Sequence, residues 1–151
     1  MSFFPRYTVR RVVAVFAAAV LLNYVWELSQ SPLYLPPSRL NDVWWHCFVA
    51  SLGDGALVVT IYATCALLFG EPDWYLRAGP QRYVAVLANG LAVGLLVEWV
   101  GLRMHRWEYA DTMPLLPGLN LGLVPIAQML VLPPLVFRIA SRLAGRPNAR
   151  A

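Results

Sequence analysis

At 151 residues, 59% hydrophobic and only 13% charged, the chain has the length of one domain but about half the charge of an ordinary soluble one. A single water-exposed globule of that length cannot hide so much apolar side chain, so lipid is the expected solvent. The formal charge of +4 comes from twelve arginines and no lysine; they flank apolar runs and the chain ends, which points to membrane orientation rather than to nucleic acid.

A membrane-crossing helix needs about 20 apolar residues, and four runs meet that length. The first covers about residues 11–29. Arg6, Arg10 and Arg11 precede Val12–Leu22 in the charge order of a signal peptide, but Asn23-Tyr24-Val25-Trp26-Glu27 follows with no small-residue cleavage site. The segment is therefore expected to stay as the first membrane helix. Asn23, Glu27 and Gln30 recur at i, i+4, i+7 and form one polar stripe on it. A loop with Pro32, Pro36 and Pro37 ends it.

The second run covers about residues 43–69, long enough to tilt. It carries His46 near its start and Asp54 between Gly53 and Gly55. Its cysteines, Cys47 and Cys65, would lie roughly 27 Å apart on one helix, so they cannot pair and are read as packing residues. Glu71-Pro72-Asp73 and Gly79-Pro80 bound the next loop, whose Trp74 and Tyr75, with Tyr83, are expected at a membrane rim.

The third run covers about residues 83–102. Gly90, Gly94 and Glu98 follow i, i+4, i+8, with Gly101 on the same side. Small residues are where a neighbouring helix comes close, so Glu98 is expected to face into the bundle. Then comes HRWEYADTMPLLPG, His105 to Gly118, with Trp107, Tyr109, Asp111 and several helix breakers. It reads either as a lid on a cavity or as an aromatic belt. The fourth run covers about residues 119–137, with Asn120 at its start and Gln128 near its middle. Pro125 and Pro133-Pro134 are expected to bend or weaken it.

Arginine counting sets the direction. Nine arginines (Arg6, Arg10, Arg11, Arg77, Arg82, Arg138, Arg142, Arg146, Arg150) fall on one side and three (Arg39, Arg103, Arg106) on the other, which puts both termini in the cytoplasm. The expected fold class is all-α: one polytopic four-transmembrane-helix bundle in a bacterial-type plasma membrane. Trp44, Trp45, Trp99 and Trp107 would mark its outer rim. On this topology the polar membrane residues gather in the outer half.

A charge at the centre of a membrane helix costs about 2.5–3.5 kcal/mol on insertion scales. Glu27, Gln30, His46, Asp54, Glu98 and Gln128 are therefore the candidate ligand-binding residues, with Trp107, Tyr109 and Asp111 as lid or rim. Each also has a structural reading: Glu27 and Gln30 as a wet rim, Asp54 and Glu98 as polar glue between helices, Gly90 and Gly94 as packing. Arg103 and Arg106 are near enough in sequence to snorkel beside Glu98. Two histidines, His46 and His105, are too weak a signal for haem, and neither a metal nor any other cofactor is expected. No phosphate-binding glycine loop, Cys-x-x-Cys, His-Glu-x-x-His or serine elbow occurs.

Three functions fit. The first is binding or transport of a small amphipathic or lipid-like ligand in a carboxylate-lined cavity. The second is a membrane enzyme on a lipid or isoprenoid substrate, with Asp54 or Glu98 as general acid. The third is an accessory subunit of a larger membrane complex. The partner classes are the bilayer, a hydrophobic small molecule, a second copy or a membrane complex, and not nucleic acid.

Overall fold

The computed structural model describes residues 6–34 and 42–144. Pro36, Pro37, Arg39, Arg146 and Arg150 lie outside them. Its helices are α1 (Arg6–Gln30), α2 (Asp42–Phe69), α3 (Pro80–Arg103) and α4 (Leu123–Leu143), with 3₁₀ turns at Ser31–Leu33 and Trp74–Arg77. Among the described residues there is no strand, only isolated bridges pairing Tyr34 with Tyr109 and Leu115 with Gly122. All four helices are long and apolar enough to cross a membrane. Their outward faces are greasy: Leu21, Leu67 and Leu96 are 69%, 84% and 59% exposed. Apolar surface on that scale is a liability in water and is ordinary against lipid.

α1 lies against α2 and α4, and α4 against α3; the α2–α3 seam is looser than these three. The α3–α4 seam is made by glycine. A Cβ on Gly90 would fall 2.2 Å from the Met129 carbonyl oxygen, and one on Gly94 would fall 3.3 Å from Met129 Cβ. The Met129 carbonyl is free to sit there because Pro133, four residues on, has no N–H to give it.

The first three helices lie where their apolar runs place them. α4 is a correction: expected over 119–137, it runs from Leu123 to Leu143. Gly118 and Asn120 have φ of 82° and 54°, left-handed values that a right-handed helix excludes. Pro125 then falls in the first helical turn, where an N–H has no intrahelical acceptor, so it begins the helix rather than bending it. The Leu121 carbonyl it frees accepts from the Leu116 N–H at 2.8 Å. Pro133 and Pro134 do not stop the helix, which continues through them.

The apolar core fills the half of the bundle near the α1 start and the α4 end. There the expected rim residues Trp74 and Tyr75 are 0% and 3% exposed, a second correction. The 3₁₀ turn folds them back under the helices, and the Trp74 ring lies 5.0 Å from that of Phe137. Ion pairs hold this turn down, Arg11 with Asp73 and Arg82 with Glu71, and Arg82 also donates to the Trp74 carbonyl at 2.9 Å. Tyr83 is only partly buried. Cys47 and Cys65 are both buried and free.

Candidate functional site

The opposite half of the bundle is polar. Its centre is Gln128 of α4, 2% exposed. The Gln128 amide nitrogen lies 2.8 Å from Asn23 Oδ1, 3.1 Å from Glu27 Oε1 and 2.9 Å from Asp54 Oδ2. Two helices, α1 and α2, thus aim three oxygens at one NH₂ group, which has only two hydrogens. Gln30 Nε2 donates to Glu27 Oε1 at 2.7 Å and to Gln128 Oε1 at 3.0 Å, and Trp26 Nε1 donates to Gln30 Oε1 at 3.1 Å. The direction is uniform: indole to Gln30, Gln30 to Gln128, Gln128 to the carboxyls. The stripe spacing at Asn23, Glu27 and Gln30 is what turns all three toward α4. Asn23 is anchored by its own donation to the Ala19 carbonyl at 2.8 Å.

Asp54 enters from α2, beside a tight contact. A Cβ on Gly55 would lie 2.7 Å from Val20 Cγ2, whereas one on Gly53 would meet nothing within 4 Å. Gly55 therefore lets α2 close on α1, and Gly53 does not share that role. Asp54 and Glu27 both keep partial exposure.

Glu98, 4% exposed, faces inward at the seam but belongs to an adjoining group. Its carboxylate accepts from the Tyr109 hydroxyl, and that oxygen in turn accepts from the Gly122 N–H at 2.8 Å. No arginine takes this place among the described residues: Arg103 lies over the Trp99 ring, 5.2 Å from its centroid, and Arg106 is exposed. Trp107 is not at the rim. Its indole covers Gly101, and its Nε1 is buried near Glu98 without a well-formed hydrogen bond.

The segment from Met104 to Gly122 therefore folds back over the polar half. The Ala110 N–H donates to the Leu33 carbonyl at 2.9 Å, and the rings of Tyr34 and Tyr109 stand 5.7 Å apart. Both phenols are pushed well above the ordinary tyrosine value, in each case by burial first. Glu98, Glu27 and Asp54 add to the effect at Tyr34, and Glu98 adds to it at Tyr109. Both thus stay neutral donors, within electrostatic reach of the carboxylates.

Of the residues read from sequence, Glu27, Gln30, Asp54 and Gln128 meet in one network, and Glu98 lies beside it with Tyr109 and Trp107. His46 is exposed, near enough to Glu27 to interact with its charge. Asp111 is exposed on the loop. Asn23 and Trp26 complete the network and Tyr34 packs against the folded-back loop; the i, i+4, i+7 stripe already pointed to Asn23, while nothing periodic points to Tyr34. The histidines, cysteines and carboxylates of the described residues form no group of three placed to hold a metal. No family model, curated protein or solved structure matches this chain.

Proposed function

We propose that this chain is a multi-pass protein of a bacterial-type inner membrane, with both termini cytoplasmic, that binds or transports a small amphipathic or lipid-like ligand. The polar half, on the outer side, is the site; the segment from Met104 to Gly122 is its lid. One observation carries the reading: the carboxyls of Glu27 and Asp54 converge on the single amide nitrogen of Gln128, with no arginine or lysine among the described residues paired to them. Burying carboxyls in lipid is costly, and such an arrangement is stabilised by whatever brings donors to it. A ligand whose polar head carries hydroxyl or amine hydrogens does so, and its apolar body suits the weakly packed α2–α3 side. Two carboxyls around one amide nitrogen in low dielectric repel if both are ionised, so protons are shared there, and protonated carboxyls can also donate to the ligand.

The test is mass spectrometry of small molecules that co-purify with the protein in mild detergent. A discrete compound should be present with wild type. It should be depleted in Asp54→Asn and Glu98→Gln, the second of which keeps an acceptor for Tyr109 and so should fold. A stoichiometric protein partner with no such compound would instead favour the accessory-subunit reading and overturn this one.

A further inference from the structure

The opposite end of the bundle carries a second feature that the carboxylate site does not use. A hollow of about 500 Å³ opens between the loop before α3 and the last turns of α4, framed by Arg77, Arg138, Arg142, Ser141, Tyr75 and Tyr83. That volume is in the range of small-molecule sites. No acidic side chain lines it. The nearby acids are engaged elsewhere, Asp73 with Arg11 and Glu71 with Arg82. Among the described residues Arg77, Arg138 and Arg142 have no carboxylate partner, and all three are exposed.

Arg138 and Arg142 stand at i, i+4 on α4, so their like charges face each other across one turn and weaken the helix unless an anion sits between them. Arg77 adds a third guanidinium from the loop, and guanidinium forks match phosphate oxygens in pairs. The same face of α4 continues away from the hollow as Val131 and Leu135, 51% and 40% exposed. Val131, Leu135, Arg138 and Arg142 follow i, i+4, i+7, i+11 and make one stripe, apolar and then cationic. A free anion has no use for the apolar part; a lipid uses both.

We propose that this hollow holds the phosphate of an anionic lipid headgroup, with an acyl chain along the Val131–Leu135 stripe. Basic pockets at the ends of membrane helices recognise such headgroups, and each arginine near the surface is worth about a fivefold change in affinity. The inference is independent of the carboxylate site and uses neither its residues nor its ligand.

The experiment is native mass spectrometry of the full chain in detergent, titrated with phosphatidylglycerol or phosphatidylcholine, with thermal unfolding in inorganic phosphate alongside. Wild type should retain phosphatidylglycerol at least about fivefold better than phosphatidylcholine. Arg138→Gln/Arg142→Gln should lose that preference, while Arg103→Gln/Arg106→Gln, with the same charge change at the other end, should keep it. Should the first double variant not fold, Arg77→Gln in the exposed loop carries the test, with the same preference expected to weaken. Equal retention of both lipids, or an unchanged preference in the hollow variants, overturns the proposal. Inorganic phosphate that alone raises the unfolding temperature and displaces phosphatidylglycerol overturns the lipid assignment in favour of free phosphate.

Discussion

Gly101 lies directly beneath the indole of Trp107: a Cβ built on Gly101 would fall 2.0 Å from ring atom Cζ2. The glycine on α3 is thus a seat for the loop that follows it, and the ring cannot stay if the seat is filled. Gly101→Ala should displace Trp107 at an overpacking cost of about 1–3 kcal/mol. Thermal unfolding in detergent reads the loss. A double variant, Gly101→Ala with Trp107→Ala, should be no less stable than Trp107→Ala alone; a further drop would mean that the two residues are not coupled through this contact.

Gly90→Ala should be more damaging than any other glycine change in α3. Its Cβ would lie 2.2 Å from a backbone carbonyl, and backbone cannot swing aside as a side chain can. Gly53→Ala is the control, since nothing lies within 4 Å of its Cβ; helix propensity alone makes that change favourable by up to about 1 kcal/mol. The expected order in unfolding temperature is Gly53→Ala at or above wild type and Gly90→Ala well below it. Equal effects would argue against the seam.

Gln128→Leu removes the one amide that faces Asn23, Glu27 and Asp54 together. Leaving a buried polar group unsatisfied costs about 1–3 kcal/mol, and here several acceptors lose a donor at once. The variant should unfold earlier than wild type by more than Gln30→Leu, because Gln128 joins α4 to acceptors on both α1 and α2, whereas two of the partners of Gln30, Trp26 and Glu27, lie on its own helix. If Gln128→Leu is as stable as wild type, the network contributes nothing to the fold.

What the sequence made legible follows from what periodicity records. Three helices are visible as apolar runs, and the Asn23, Glu27, Gln30 stripe is visible because hydrogen-bonding partners on a helix must share a face. The start of α4 is not: Leu119 and Leu121 are apolar, but hydropathy does not register the left-handed turn at Asn120. Trp74 and Tyr75 read as a rim because aromatic belts are recognised by position along the chain, while the fold-back of their turn is set by Arg11, Arg82 and the Phe137 ring. Glu98 could be placed inside the bundle from its glycine face. Its partner Tyr109 arrives from a loop, where no repeat spacing marks the approach.

Both termini should read cytoplasmic. Reporter fusions after Arg77 and after Arg150 are expected on the cytoplasmic side and one after Pro36 on the external side, from the nine-to-three division of arginines. An external reading after Arg77 would invert the bundle and put the carboxylate half inside.

Tyr109 offers a spectroscopic check on the lid. In the folded chain its phenol is held neutral, by burial first and then by donation to Glu98; a free tyrosine ionises near pH ~10. The sign follows from proton counting. Above that pH the open state binds fewer protons than the closed one, so lid stability is complete below pH ~10 and falls as pH rises further. In a difference titration of wild type against Tyr109→Phe, the detergent-folded proteins should show no phenolate step between about pH 9 and 11, and the denatured pair should show one step near pH ~10. The same substitution removes the hydroxyl that joins Glu98 to the Gly122 N–H. Tyr109→Phe should therefore also leave the loop after α3 more open to protease at neutral pH, with the helices intact by circular dichroism. A Tyr109 step at the ordinary pH in the folded protein would mean that the phenol is exposed, and that the lid does not close on Glu98 in solution.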